Sequence, residues 1–327
     1  MLRSRLAVVA VVLCLIIGAG VAQKTLVPKL RPEPADGCAW VRVGSDSVLY
    51  TVHQLGIARG NAGNMLYGGE RHTHVNFGTR CTTGTSDQDY DYCTVGGGYV
   101  NAAGERFATV CGGTGNHATG NSATVGGGSG NTASGRQATV AGGSMNSAGG
   151  DYAMVPGGTH NEATGWASFA AGRRAKATLP GCFVWGDNYD GDVSASAANS
   201  WVVRARGGVY FYTNAGLSTG AYMGAGQNGW TAMCDRTNKE GFTPIDKKAL
   251  LEQLAQMPLT EYRVKGQDQN VKHVGPVAQD FFEAFGLGET DKGINSMDAD
   301  GVALAAIQAL YEEVQTLRAR LAELEQK

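Results

Sequence analysis

The sequence predicts a mainly β fold, a parallel β-solenoid of 15-residue repeats, followed by an α+β C-terminal domain that ends in a coiled coil. Three observations carry this. Between 94 and 167 the chain says nearly the same thing five times: TVGGGYVNAAGERFA, TVCGGTGNHATGNSA, TVGGGSGNTASGRQA, TVAGGSMNSAGGDYA and MVPGGTHNEATGWA. Glycine makes up 49 of the 327 residues, about double its usual share of roughly 7%. From residue 244 the repeat stops, and apolar residues return at helical spacing.

Within the repeat, valine falls at 95, 110, 125, 140 and 155, and asparagine at 101, 116, 131, 146 and 161. Alanine returns at 103, 118, 133, 148 and 163, and again at 108, 123, 138 and 153. The fifth unit reads one residue short, and SFAAGRRAKA opens a sixth with Phe169 in the valine slot. A period of 15 is too short for a helix pair and suits one solenoid coil. Each coil then holds two short strands and two tight turns, stacked about 4.8 Å apart. Ala-Thr-Val alternates inward, outward, inward. Glycine supplies positive φ at the corners. Asparagine tolerates the left-handed region there, and stacked asparagines can form a side-chain ladder. Each buried valine contributes about 1.5–3 kcal/mol and alanine much less. Five or six such coils alone are marginal, and bundling several chains would bury more surface.

The valine and alanine slots, the glycine corner and the N-x-A-x-G turn, as in NTASG at 131–135, resemble the head repeats of trimeric autotransporter adhesins, left-handed β-rolls of the YadA type. The resemblance covers residues 93–176. It implies a trimer with a surface or stalk role and no catalysis. The usual roll of that family is one residue shorter per coil.

Composition removes other classes. Collagen needs a strict G-x-y period, which is absent, and regularly placed valine, alanine and aromatics speak against simple disorder. A net charge of −2 with no long basic run gives no reason to expect a nucleic-acid partner. Arg3 and Arg5, an apolar run from Leu6 to Ile17 and small residues ending at Ala22 read as a secretory signal over 1–22. An uncleaved anchor is the rival, since 17 residues from Leu6 to Ala22 reach the short edge of a membrane span. The protein is therefore expected to be exported, and either secreted or held at the cell surface. Six cysteines then remain, at 38, 81, 93, 111, 182 and 234. Cys81 and Cys93 flank TTGTSDQDYDY and could close it as a loop through a disulfide, with scattered structural or free cysteines as the alternative, and six cysteines leave the connectivity open.

No cofactor and no metal is expected. GAGQNG (Gly224, Gly226, Gly229) lacks the strand–helix context of a dinucleotide loop. GDNYDGD at 186–192 has a calcium-loop flavour, but the alignment puts Gly186 and Ala197 where ligands belong. It reads as a surface turn whose Asp187, Asp190 or Asp192 can at most touch a cation weakly. Residues 178–230 alternate as strands and turns. Trp201, Tyr210 and Tyr212 there serve packing or trimer contacts, with a surface-glycan platform as the alternative.

In the tail, IDKKALLEQLAQM starts a helix at the N-cap Asp246 and stops before Pro258, with Leu250, Leu251, Leu254 and Met257 as its apolar stripe. LTEYRVK reads as a strand. PVAQDFFEAFG reads as a helix with Pro276 in its first turn and Gly286 just past its end. A last helix from about Asp300 carries heptads, with Ile307, Val314 and Leu321 at a and Leu310, Leu317 and Leu324 at d. Glu313 at g faces Arg318 at e of a parallel partner, and Arg320 faces Glu325, which favours a parallel self-coil. Ile/Val at a with Leu at d leans toward two strands rather than three.

The pieces CDRTNKE, LLEQLAQMPLTEYRVK, HVGPVAQDF and DADGVALAAIQALYEEV, in this order and spacing, resemble the endosialidase-type intramolecular chaperone domain that ends phage tailspikes and tail fibres. The resemblance covers 234–327. It implies a domain that trimerises the β-structure before it and then cuts itself off, using a serine in an S-D-x-x-x-K pattern with the lysine as base. Here Cys234 stands in the serine position, Asp235 follows, and Lys239 takes the lysine position. A thiol is intrinsically the stronger nucleophile, so Cys234 and Lys239 are the candidate catalytic residues of at most a self-cleaving peptidase.

The expected layout is a signal or anchor (1–22), an N-terminal β-rich or irregular region (23–92), β-roll repeats (93–176), a strand connector (177–233) and the chaperone domain (234–327) with its coil over about 303–327. The expected partner is the protein itself, as a homotrimer, with a surface glycan as a further candidate. The alternative is an adhesin-like module whose tail stays attached and uncut.

Overall fold

The computed structural model describes residues 40–43, 48–51, 57–59, 64–67, 74–88 and 90–326. The signal or anchor segment, Cys14 and Cys38 lie outside the described residues. Two compact units divide at Arg206 and Gly207.

The first unit is a parallel β-solenoid. The Thr-Val segments stack as one ladder, Val95 on Val110, Val125, Val140 and Val155 in turn. The Asn-x-Ala segments stack as a second, Ala103 on Ala118, Ala133, Ala148 and Ala163. Strand amides bond forward to the next coil, as from Thr109 N to Ala123 O at 2.9 Å. Both ladders continue beyond the clear repeats. The first reaches Phe183–Gly186 and Trp201–Arg204, and the second Val193–Ser194. At the other end Ile57–Arg59 pairs in parallel with Val75–Asn76, after an antiparallel pair at Trp40–Val43 and Val48–Thr51.

Each coil turns three corners rather than two, each with a left-handed residue. Gly128 (φ 88°), Gly130 (φ 66°) and Gln137 (φ 55°) mark one coil. Single bridging residues form a third, one-residue-wide ladder, from Thr114 to Ser129 to Ser144. Glycine is obligatory at the first corner, since a Cβ on Gly128 would collide with the carbonyl of Gly143 in the next coil. Side chains are tolerated at the other two, as at Met145 and Tyr152. There the amide turns backward and bonds the previous coil, Met145 N to Ser129 O and Tyr152 N to Arg136 O.

Ala108, Thr109 and Val110 run buried, half-buried, buried, as the alternation requires. The asparagines do not occupy left-handed positions. The residue before each one does, and the asparagine itself is buried in the core. Asn131 Nδ2 donates to Gly127 O and Gly143 O at 2.9 Å, and its Oδ1 accepts from Asn146 N at 3.0 Å. The same link runs from Asn101 to Asn161 and ends on the amide of Ala175.

Two expectations are corrected here. The fifth repeat is full length: Met154 pairs with Phe169, so Phe169 sits in the outward threonine slot and Ala170 in the valine slot. Ser168 takes the buried alanine slot, with its hydroxyl satisfied by Gly165 O at 2.7 Å. The missing residue belongs to the next coil, where Thr159 bridges Arg173 and Ala163 pairs with Ala177, 14 positions on in each case. Of the two readings for Cys81 and Cys93, the disulfide is not formed and the free cysteines are what the structure has. Cys81 fills an asparagine slot, its sulfur accepting from Asn101 N at 3.2 Å. Cys93 fills an alanine slot, and burial pushes its thiol up to about 11.

The GDNYDGD turn is closed by arginines. Asp187 accepts from Arg204 Nε at 2.9 Å and from Arg206 N and Nε at 3.0 Å, and Asp190 and Asp192 bond Arg173 and Arg174. Burial opposes ionisation of Asp187, but the bonds from Arg206, Arg204 and Tyr189 outweigh it and hold the carboxyl well below the usual carboxylate range. A depressed carboxylate stabilises the fold above its unfolded pKa of about 3.9 and loses that contribution as pH falls toward the folded value. Asp187→Asn is therefore expected to melt earlier than wild type at neutral pH, with the gap narrowing below about pH 3.9. Thermal melts across pH check this.

The second unit begins with an antiparallel sheet of Gly208–Tyr212, Gly220–Gly224 and Thr231–Ala232. GAGQNG is its second hairpin turn, closed by Gly224 N on Gln227 Oε1 at 2.7 Å. Helix α1, Lys247–Gln256, starts on Asp246, whose carboxylate accepts from Lys248 N and Ala249 N. Thr260–Tyr262 and His273–Gly275 form a two-stranded ribbon. Helix α2, Ala278–Phe285, ends on the left-handed Gly286, while Pro276 lies ahead of the Val277 N-cap. Helix α3, Ser296–Glu325, starts four residues earlier than expected because Asn295 caps it. Leu250 and Met257 of the α1 stripe pack with Phe281, Val302, Ala305 and Ala306.

Candidate functional site

The two sequence-predicted catalytic residues meet. Lys239 Nζ donates to Cys234 Sγ at 2.8 Å. Both lie in an exposed segment running from Cys234 to Asp246. They lie five positions apart, so neither helical nor strand periodicity puts them on one face. The contact is built by a turn.

The chain arrives pinned. Thr231–Ala232 is the third strand of the sheet, and Met233 N bonds Gly220 O at 2.9 Å. Asp235 then caps a single 3₁₀ turn, Arg236–Asn238. Its Oδ1 accepts from Thr237 N and Thr237 Oγ1, both at 2.8 Å. Lys239 N returns to Arg236 O at 3.2 Å, which closes the turn and brings the lysine back beside Cys234. Asn238 Nδ2 bonds Ser218 O at 3.3 Å, and the Arg236 guanidinium lies 4.4 Å from the Phe242 ring centre.

The Thr237 amide and then its hydroxyl hold the Asp235 carboxyl below its ordinary value, against a small opposing effect of burial. Asp235 thus stays ionised as the cap and shapes the turn without touching the sulfur. Its role and that of Thr237 escaped the sequence reading. The signal was present, since an aspartate two residues before a threonine is a common turn cap.

Chemically, this is a nucleophile with an amine in hydrogen-bond reach. The thiol of Cys234 also lies beside the carbonyl of its own preceding residue, Met233, as covalent geometry dictates for any cysteine.

The other residues singled out are placed elsewhere. Trp201 belongs to the solenoid unit, where it meets Phe183 edge-on at 6.2 Å. Tyr210 and Tyr212 belong to the C-terminal unit, where Tyr210 stacks on Tyr222 at 5.3 Å. On α3 the six heptad residues, Ile307 to Leu324, are each between 42% and 67% exposed. The buried face of that helix is a different one, made by Val302, Ala305, Ala306 and Ala309. Outside that stripe, Lys247 Nζ of α1 bonds Glu312 Oε1 of α3 at 2.9 Å.

No curated protein matches the chain. A family match does exist, and it supports an intramolecular chaperone role for the tail. It begins at the residue whose sulfur the lysine reaches and runs through α1, the ribbon and α2: residues 234–286 match the family described as chaperone of endosialidase.

Proposed function

We propose that this is an exported, homotrimeric, fibrous surface protein whose tail assembles it and is then released by cleavage of the Met233–Cys234 bond. One observation carries the reading: the family match starts at Cys234, and Lys239 Nζ donates to that residue's sulfur at 2.8 Å. Lys239, as the free amine, takes the thiol proton. The thiolate attacks the Met233 carbonyl carbon. The C–N bond to Cys234 breaks, its nitrogen takes the proton from Lys239, and Met233 is left as a thioester on the sulfur. Water then hydrolyses that thioester, giving a Met233 carboxylate and a free Cys234 thiol. Asp235 and Thr237 position the lysine through the turn.

Assembly is what the solenoid needs. Coils from three chains must start in register, and non-local β pairing is slow. A tail that self-associates raises the local concentration of the segments before it. The exposed stripe on α3 supplies the apolar seam, with Glu313–Arg318 and Arg320–Glu325 as cross-chain pairs. The apolar run from Leu6 to Ile17 supports export. The repeats then form an adhesin-like shaft or head, whose outward face can meet a surface glycan.

Intact-mass analysis of purified wild type, Cys234→Ala and Lys239→Ala tests the cut. A fragment beginning at Cys234 is expected in wild type and in neither variant. A full-length mass in all three, with the Met233–Cys234 peptide bond intact on digestion, contradicts cleavage.

A further inference from the structure

We infer that the three chains pack on one another along one face of the solenoid, the outward face of the Thr-Val ladder. This contact holds the fibre together once the tail has left. The inference rests on the trimer reading above and gives it a surface. Release removes α3 and its seam, so a lasting contact has to lie before Cys234.

The solenoid faces differ in charge. Two rows of side chains point outward from the Thr-Val ladder, one on either side of each buried core slot. The first row carries threonine at 94, 109, 124 and 139. The second carries Gly96, Cys111, Gly126 and Ala141 over the same coils. The rows run across nine strands, from Val75 and Phe77 to Trp201 and Val203, and neither holds an Asp, Glu, Lys, Arg or His. The Asn-x-Ala ladder, by contrast, carries His117, Glu162 and Lys176 outward, and the bridging ladder carries Arg173.

A parallel trimer accounts for that difference. Near a threefold axis each residue meets its own copies at one height, so any charge there would face the same charge twice. Gly96, Gly126 and Ala141 leave room for neighbouring backbones. The face also has the area. Nine strands spaced about 4.8 Å apart span roughly 40 Å, and the six steps from the left-handed Ser122 to the left-handed Gly128 span roughly 20 Å. The product, about 800 Å², is what a standard interface buries per partner.

The aromatic end of the face suits protein rather than sugar. Phe169 and Phe183 stack at 4.6 Å and within 7° of parallel, and Trp201 meets Phe183 edge-on at 6.2 Å. The facing sides of the phenyl rings are thus covered by each other, and ring edges point outward. A sugar ring stacks on an open ring face. Trp201 is 61% exposed, with Phe183 and Trp185 beside it also exposed, and contiguous apolar surface of this kind marks a contact.

Cys111 reports on this face directly. It is exposed in the single chain, and a Cys111–Cys111 link can only join two chains. The test treats the full-length, uncut Cys234→Ala protein with a short bismaleimide, digests it with trypsin and seeks peptide 107–136 linked to itself. Light scattering gives the particle mass of the same sample. The linked peptide is expected together with a three-chain mass. It should be lost in Cys111→Ser/His117→Cys, which moves the thiol to the Asn-x-Ala face within the same peptide. A three-chain particle that links through His117→Cys and not through Cys111 overturns this face and leaves the trimer reading standing. Single chains without the link overturn both.

Discussion

Asn131→Asp is expected to destabilise the solenoid by about 4 kcal/mol at neutral pH, at the upper end of single-residue effects. Asn131 is fully buried, and each of its polar atoms is used. Its amide nitrogen donates to Gly127 O and Gly143 O, and its oxygen accepts from Asn146 N. A carboxylate keeps the acceptor and loses both donors. It sets oxygen against the two carbonyl oxygens that hold the corner, Gly127 O and Gly143 O. Each buried group left unpaired costs about 1–3 kcal/mol, more when charged. The substituted carboxyl would resist ionisation there, so its folded pKa lies above its unfolded value. The destabilisation is then largest at high pH and shrinks as pH falls below the folded pKa. Asn131→Ala removes the donors without adding charge and is expected to cost about 3 kcal/mol, with little pH dependence. Damage should centre on coils 116–146, because each coil contacts only its neighbours. Urea unfolding at two pH values, with amide exchange to locate the weakened coils, checks the size and the sign.

The second large effect is on assembly. Leu310→Asp with Leu317→Asp places two carboxylates at d positions of the exposed stripe on α3. Both leucines are more than half exposed and lie outside the face that packs on α1 and α2. The isolated tail fold should therefore change by less than about 0.5 kcal/mol, the usual range for surface sites. The proposed self-associating seam, by contrast, would bury like charges against one another. The double substitution is expected to reduce self-association by at least about a hundredfold, while α3 stays helical by circular dichroism.

Much of this was legible in the sequence, for identifiable reasons. A solenoid repeats its core slots at one fixed spacing, so Val95 to Val155 and Asn101 to Asn161 announce the coil directly. The frame blurred where one residue type replaced another. Ser168 fills an alanine slot through a local hydroxyl bond, and Cys81 fills an asparagine slot by offering sulfur as the acceptor. Neither replacement is visible to a search for like residues, which is why the short coil was placed one unit early. The ladder beyond 176 carries Phe183 and Trp201 in its outward slot, where the repeats carry threonine. Outward slots are free to diverge, so pairing there is a property of the backbone alone. The third corner was missed because residues such as Gln137 and Tyr152 occupy it, and the backward amide bond that tolerates them leaves no compositional mark. In the tail, caps and apolar stripes located α1 and α2 closely. The Cys234–Lys239 pair came from motif spacing, and the capped turn that makes the contact comes from Asp235 and Thr237.

The central claim is that the tail assembles the β-solenoid before it. Refolding from denaturant tests this most directly in the uncut Cys234→Ala background, where the protein with and without Leu310→Asp/Leu317→Asp is compared for particle mass by light scattering and for recovery of a protease-resistant solenoid. The account predicts that the parent returns as a three-chain particle with a resistant 64–204 segment, while the Leu310→Asp/Leu317→Asp variant returns as single chains that are digested. Equal recovery of the resistant solenoid by both proteins would contradict it.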